Sequence, residues 1–311
     1  MDAGDREGFT GVVAGRRGRR LGAAAVAVAV VLLLAACGSD SDSDDDAEPR
    51  ADGPSTAVTS AEDPLTGTYT ADGRELFIEC SGEGEPTMVL EVGEGRLHGD
   101  MAALRAVYES QLRVCSYDRA NKGSSGAAPT PRSGAQLVSD LHGLLRVAQV
   151  PGPYLLVGHS AGGLLVQAFA AVHPDEVVGV VALNPVPPWK PWSRLGFAQM
   201  TALERGLEVD YLEGANGESL DYRDISRLID EHPVPSAIPF HVVISTREQC
   251  IDPQDVCSRT YPAYTAIMRR LGEQWDQGRF SQVEASHEIH SDNTRAVQEA
   301  VDDVLSRAPG S

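Results

Sequence analysis

Residues 154–163 read Tyr-Leu-Leu-Val-Gly-His-Ser-Ala-Gly-Gly. The first four are apolar and bulky, and Tyr154–Gly158 reads as a strand buried on both faces. From Gly162 to His173 the residues are apolar with helical spacing, so a helix is predicted there. Between strand and helix stands Gly158-His159-Ser160-Ala161-Gly162, of the form G-x-S-x-G. Those five letters alone are a weak signal. Their context is specific, because a strand running into the pattern and a helix running out of it make a sharp turn with Ser160 at its tip. Glycines at 158 and 162 would let neighbouring backbone approach, and the helix would bring its N-terminal N–H groups and positive dipole end to the serine.

Outward from this segment, strand-like and helix-like stretches alternate. Arg74–Cys80, Thr87–Val92 and Val114–Asp118 read as strands, with an amphipathic helix over Asp100–Ser110. Ser133–Ala148 reads as a helix with Ser133 as N-cap and Leu137, Leu141, Leu144, Leu145 and Ala148 on its apolar face. Val177–Leu183 is a second wholly apolar strand. The alternation then breaks at Pro185, Pro187, Pro188 and Pro191, with Trp189 and Trp192 among them, and residues 185–236 read as an insertion. It resumes with a strand at Pro239–Ser245, a helix at Tyr261–Gln277, a strand near Phe280–Ala285 and a helix over Asn293–Arg307. Continuous apolar strands alternating with helices predict an α/β fold: a mostly parallel, doubly wound sheet flanked by helices, with a helical or irregular cap at 185–236.

The 311 residues, 42% hydrophobic, suffice for one globular core. No repeat array is visible. A formal charge of −19 repels phosphate backbones, so no nucleic-acid partner is expected.

YLLVGHSAGG at 154–163 resembles the strand, turn and helix around the nucleophile of the α/β-hydrolase superfamily. The likeness extends over roughly residues 74–307. LEVGEG at 90–95 sits where that family has its oxyanion-hole loop, RVCSYDRANKGSS at 113–125 resembles its next strand and turn, and ASHEIH at 285–290 resembles the region of its catalytic histidine. The resemblance implies an α/β-hydrolase fold and a serine-esterase-like activity. It makes Ser160 the nucleophile and His287 its base, and makes the backbone N–H groups of Glu94 and Ala161 the oxyanion hole. The acidic side chain of Glu94 is unusual there and must point away from the developing negative charge. For the acid that orients His287, counting on from Pro239 points first to Glu248, with Asp252, Asp255 and Asp221 also open. Asn184 occupies the place where some relatives carry an acid, and it has no charge to offer.

No metal or cofactor is expected. The pair His287 and His290 is one residue short of the spacing of a zinc-binding helix. The expected partner is a small-molecule ester. A serine at the turn argues against the carboxylate-nucleophile chemistry found on the same fold, and amides stay open as substrates. The rival expectation is a ligand-binding module without catalysis.

The N-terminal region reads as an address. Arg16, Arg17, Arg19 and Arg20 precede an uncharged apolar run, Leu21–Ala36, which fits a secretory signal peptide over 1–36. Leu34-Ala35-Ala36-Cys37 resembles the lipobox of bacterial lipoproteins. That implies cleavage before Cys37, acylation of its thiol and attachment to the outer face of the cell membrane. Residues 37–64, rich in Ser, Asp and Pro, read as a disordered acidic linker, and 65–311 as the hydrolase domain. The other four cysteines are an even number in an exported chain, and the expected disulfides are Cys80–Cys115 and Cys250–Cys257.

Overall fold

The computed structural model of the protein describes residues 65–246 and 254–308. The first strand, β1 (Thr66–Ala71), is a polar edge strand that turns back through Asp72 and Gly73 into β2 (Arg74–Ser81). The apolar β3 (Thr87–Glu91) leads through a loop to α1 (Ala102–Tyr108) and β4 (Val114–Tyr117). Ser133 then caps α2 (Gly134–Val147): its hydroxyl accepts from the Gln136 N–H, and the Gln136 side chain accepts from the Ser133 N–H. Next come β5 (Tyr154–His159), α3 (Ala161–Val172) and β6 (Val177–Leu183).

Between β6 and the next sheet strand lie α4 (Trp189–Leu195), α5 (Ala202–Leu212) and α6 (Tyr222–Glu231). The chain returns to the sheet with β7 (Phe240–Ser245), α7 (Gln254–Glu273) and β8 (Gly278–Val283), and finishes with the short α8 (Ile289–Asp292) and α9 (Thr294–Arg307).

The eight strands form one sheet in the order β1-β2-β4-β3-β5-β6-β7-β8. β1–β2 and β2–β4 are antiparallel; every pair from β4 to β8 is parallel. The period-2 alternation of strands divides the apolar side chains between two cores. Leu156, Val180, Ala182 and Val242 face the side covered by α2, α3 and α7. Leu155, Val157, Val181 and Val243 face the side covered by α1 and α9. Both faces are thus dry, which is why the central strands read as unbroken apolar runs.

Cys80 and Cys115 sit directly opposite each other on β2 and β4, and their sulfurs form a disulfide with the Cα atoms 4.0 Å apart. Cys257, on α7, is disulfide-bonded as well; Cys250, the partner expected from the sequence, lies outside the described residues, as does Cys37.

Candidate active site

β5 delivers the chain to the C-terminal edge of the sheet, and α3 begins one residue later. The residue between is Ser160, at φ 54° and ψ −116°, a conformation that residues with a side chain rarely adopt. Backbone hydrogen bonds hold the corner: the Ser160 N–H donates to the Leu183 carbonyl at 2.9 Å. The Ser160 carbonyl accepts from Gly163 at 3.0 Å and Val186 at 3.1 Å. The flanking glycines are sterically required. A Cβ on Gly158 would lie 2.3 Å from the Gly162 carbonyl oxygen, and one on Gly162 would lie 2.1 Å from that of Glu91.

That last contact presses the start of α3 against the end of β3, where the loop 92–95 begins. A Cβ on Gly93 would sit 3.4 Å from Cβ of Ser160, so the loop and the serine are neighbours. The N–H groups of Glu94 and Ala161 donate to no other group among the described residues. Two free donors beside a projecting hydroxyl are what an oxyanion hole needs.

The loop is fixed by a buried ionic cluster. Arg119, two residues past β4, donates from Nη1 to Glu91 (2.5 Å) and to the Val92 carbonyl (2.8 Å). Its Nη2 donates to the Gly93 carbonyl (2.7 Å) and Glu218 (2.9 Å), and its Nε donates to the other Glu218 oxygen (2.6 Å). Tyr117 donates its hydroxyl to Glu91 at 2.6 Å. Burial alone would raise both carboxyls. Arg119 overcomes it at Glu218, which is held below the usual carboxylate range, whereas at Glu91 burial prevails and the carboxyl is raised. Glu218 is therefore the main counter-charge of Arg119. The Glu94 carboxylate turns toward the segment between β6 and β7, accepting from the Tyr211 hydroxyl (2.6 Å), the Tyr222 hydroxyl (2.7 Å) and the Gly217 N–H (2.8 Å).

His287 follows β8, on the loop that precedes α8. Its carbonyl accepts from the Asn184 side-chain amide and from His159 Nε2, both at 2.9 Å. Asn184, at φ 42°, also accepts the Ser245 N–H at 2.9 Å, so it ties the ends of β6 and β7 to the histidine loop. The His159 and His287 rings lie 4.7 Å apart, centre to centre. His159 is the residue before Ser160, so the loop carrying His287 is anchored next to the serine. Burial pushes the His287 imidazole below its ordinary value; Glu288 opposes this, while Arg96 and His290 add to it. Of the four acids that the sequence offers to orient His287, Glu248 and Asp252 lie outside the described residues, and so does the side chain of Asp255 on α7. Asp221 accepts the Asp224 N–H at 2.8 Å and caps α6.

Two groups of described residues bring metal-capable atoms within 4.8 Å of one another: His142, His173 and Glu176, and His159, Glu288 and His290. In the second, Glu288 already accepts from the Arg96 guanidinium at 2.6 Å, which supplies its counter-charge.

Local sequence assigns no role to Arg119, Glu218 or His159. For Asn184 the sequence shows only the charge it lacks. For Arg119 the sole local cue was its place in the turn after β4.

Comparison with known proteins agrees with this architecture. Residues 95–219 match the family model of the alpha/beta hydrolase fold. The chain is 34% identical over 119 residues to YqjL, an uncharacterized protein of Bacillus subtilis strain 168, covering 38% of this chain and 47% of that one. It is 38% identical over 112 residues to the pimeloyl-[acyl-carrier protein] methyl ester esterase of Chromobacterium violaceum, covering 35% of this chain and 41% of that one. The chain thus spans less than half the length of these curated relatives. Among solved structures, the enol-lactonase from Burkholderia xenovorans LB400 superposes with a TM-score of 0.54 at 23% identity, over 77% of this chain and 100% of that one. Sheet order, turn geometry and these likenesses agree on the architecture: the chain has the α/β-hydrolase fold.

Proposed function

We propose that this chain is a serine hydrolase that cleaves carboxylic esters of small molecules through an acyl-enzyme. The observation that carries the reading is the strained backbone of Ser160 beside two undonated N–H groups, those of Glu94 and Ala161. Strain of this kind persists only where surrounding structure enforces it, and it holds a hydroxyl clear of the sheet. In the proposed cycle His287 takes the Ser160 proton as Oγ bonds to the ester carbonyl carbon. The carbonyl oxygen, now negative, is held by the two N–H groups. The C–O bond to the alcohol then breaks, and His287 returns the proton to the leaving oxygen. Water repeats the sequence on the acyl-enzyme, releasing the acid and restoring Ser160.

A relative named as a methyl ester esterase supports ester substrates, and relatives named as putative carbamate hydrolases keep amides open as substrates. The segment 185–236 acts in this reading as a cap that bounds substrate size. Glu248 remains the first candidate for the acid that orients His287, ahead of Asp252, Asp255 and Asp221. No metal, cofactor or nucleic acid takes part. Residues 1–36 would direct export and Cys37 would carry the lipid that holds the domain at the outer face of the membrane, with 37–64 as tether.

The test is hydrolysis of p-nitrophenyl esters. Ser160→Ala and His287→Ala should each lower kcat by about 10³-fold or more, with folding intact by circular dichroism. Wild-type turnover that both variants retain would refute the assignment. Wild-type protein that binds such esters without turning them over would instead favour the binding module.

A further inference from the structure

We infer that the cap residues Tyr211, Tyr222 and Glu218, together with Arg119, are positioning residues that set the oxyanion donor of Glu94 in place. This deepens the hydrolase reading above and rests on it. The argument begins with one peptide group. The Gly93 carbonyl and the Glu94 N–H belong to the same planar, trans unit, so they point in opposite directions. Arg119 Nη2 binds the Gly93 carbonyl at 2.7 Å, and Nη1 of the same guanidinium binds the preceding carbonyl at 2.8 Å. With those oxygens turned toward Arg119, the Glu94 N–H is turned the other way, and it donates to no described group.

The cap closes the arrangement from outside. Glu218 accepts two bonds from Arg119 and accepts the Gly95 N–H at 2.9 Å. On the residue between, the Glu94 carboxylate is gripped by Tyr211, Tyr222 and the Gly217 N–H. Every residue from Val92 to Gly95 is therefore bound by Arg119 or by the cap. Tyr222 is almost wholly buried, and the two phenol rings stack with centres 5.8 Å apart, so the grip has a defined geometry. The negative charge that would oppose an oxyanion is thereby engaged by three donors of the cap. Moving the cap away would free the Glu94 carboxylate and the Gly95 N–H and would take from Arg119 its main counter-charge. Productive geometry at the oxyanion hole is thus a property of the closed cap, and the cap acts in catalysis as well as in selecting substrates.

The experiment measures kcat and KM for p-nitrophenyl acetate, per Ser160 titrated with a fluorophosphonate, in full-length wild type, Tyr211→Phe/Tyr222→Phe, Glu94→Ala and Glu94→Gln. Affinity for phenylboronic acid, a tetrahedral mimic, is measured alongside. The double Phe variant and Glu94→Ala should lose at least tenfold in kcat with KM within threefold. Boronate binding should weaken in step, and Glu94→Gln, which keeps one acceptor, should recover part of the loss. Counting only titrated sites removes misfolded protein, so a purely structural role would leave kcat unchanged. A kcat within twofold of wild type in both the double variant and Glu94→Ala would overturn the inference while leaving the hydrolase standing. A wild type that neither labels nor hydrolyses would overturn both.

Discussion

Glycine 162 has no room for a methyl group. Its Cβ would need to stand 2.1 Å from the Glu91 carbonyl oxygen and 2.7 Å from that of Val92, both backbone atoms with little freedom to yield. Gly162→Ala therefore pushes the start of α3 away from the loop that carries Glu94. A displacement near 1 Å at reacting groups costs about 100-fold in rate, and kcat of Gly162→Ala against ester should fall by that order. A variant as active as wild type would mean that α3 and the loop need not touch. The His287 imidazole gives a second prediction at this scale. As the proposed base it must be neutral, and burial favours that form, so kcat/KM should rise with pH and reach half its plateau below the ordinary histidine value of about 6.5. Glu288 pulls the other way, so Glu288→Gln should move the midpoint lower still. A wild-type midpoint above neutrality would contradict this.

At the level of elements, the sequence was most legible where both neighbours of a strand are dry. The strands from Thr87 to Leu183 and the helices at 133–148 and 162–173 lie within a residue or two of their predicted bounds, because buried strands and one-sided helices leave unmistakable periods. The edge strand β1, TGTYTA, leaves no apolar period in the sequence: it is half exposed and polar, and pairing with β2 rather than burial makes it a strand. The segment expected as a helical or irregular cap is helical, with the bounds of its first helix, α4, obscured by the prolines at 185–191; α7 runs back to Gln254 with Pro262 inside it, where the sequence suggests a start at Tyr261. The ionic cluster was not legible, since Arg119 meets partners 28 and 99 residues away and only the folded sheet brings them together. The cross-strand link between β2 and β4 belongs to this scale as well. Replacing Cys80 and Cys115 with serine should lower unfolding free energy by about 2–4 kcal/mol, measured in urea. Equal midpoints for variant and wild type would show that the link contributes nothing.

For the whole molecule, five histidines among the described residues, three buried and two half-buried, set the response to acid. His159, His173, His241, His287 and His290 are each held below the ordinary imidazole value, chiefly by burial. Below about pH 6.5 the unfolded chain takes up protons that the folded chain resists. Stability is thus full above that pH and declines as pH falls toward the folded-state values. Glu218, Asp118 and Asp303 act further down: hydrogen bonds and neighbouring cations hold them below the usual range despite burial, so their contribution is lost last. The melting temperature should therefore drop between pH 7 and 5.5; a flat or rising profile would contradict this. The central claim concerns a single atom, Oγ of Ser160. Its most direct test is intact mass and peptide mapping after exposure to a fluorophosphonate. One adduct, on Ser160, absent from Ser160→Ala and strongly slowed in His287→Ala, is the predicted result. Wild-type protein that stays unmodified, or that is modified at another residue, would contradict it.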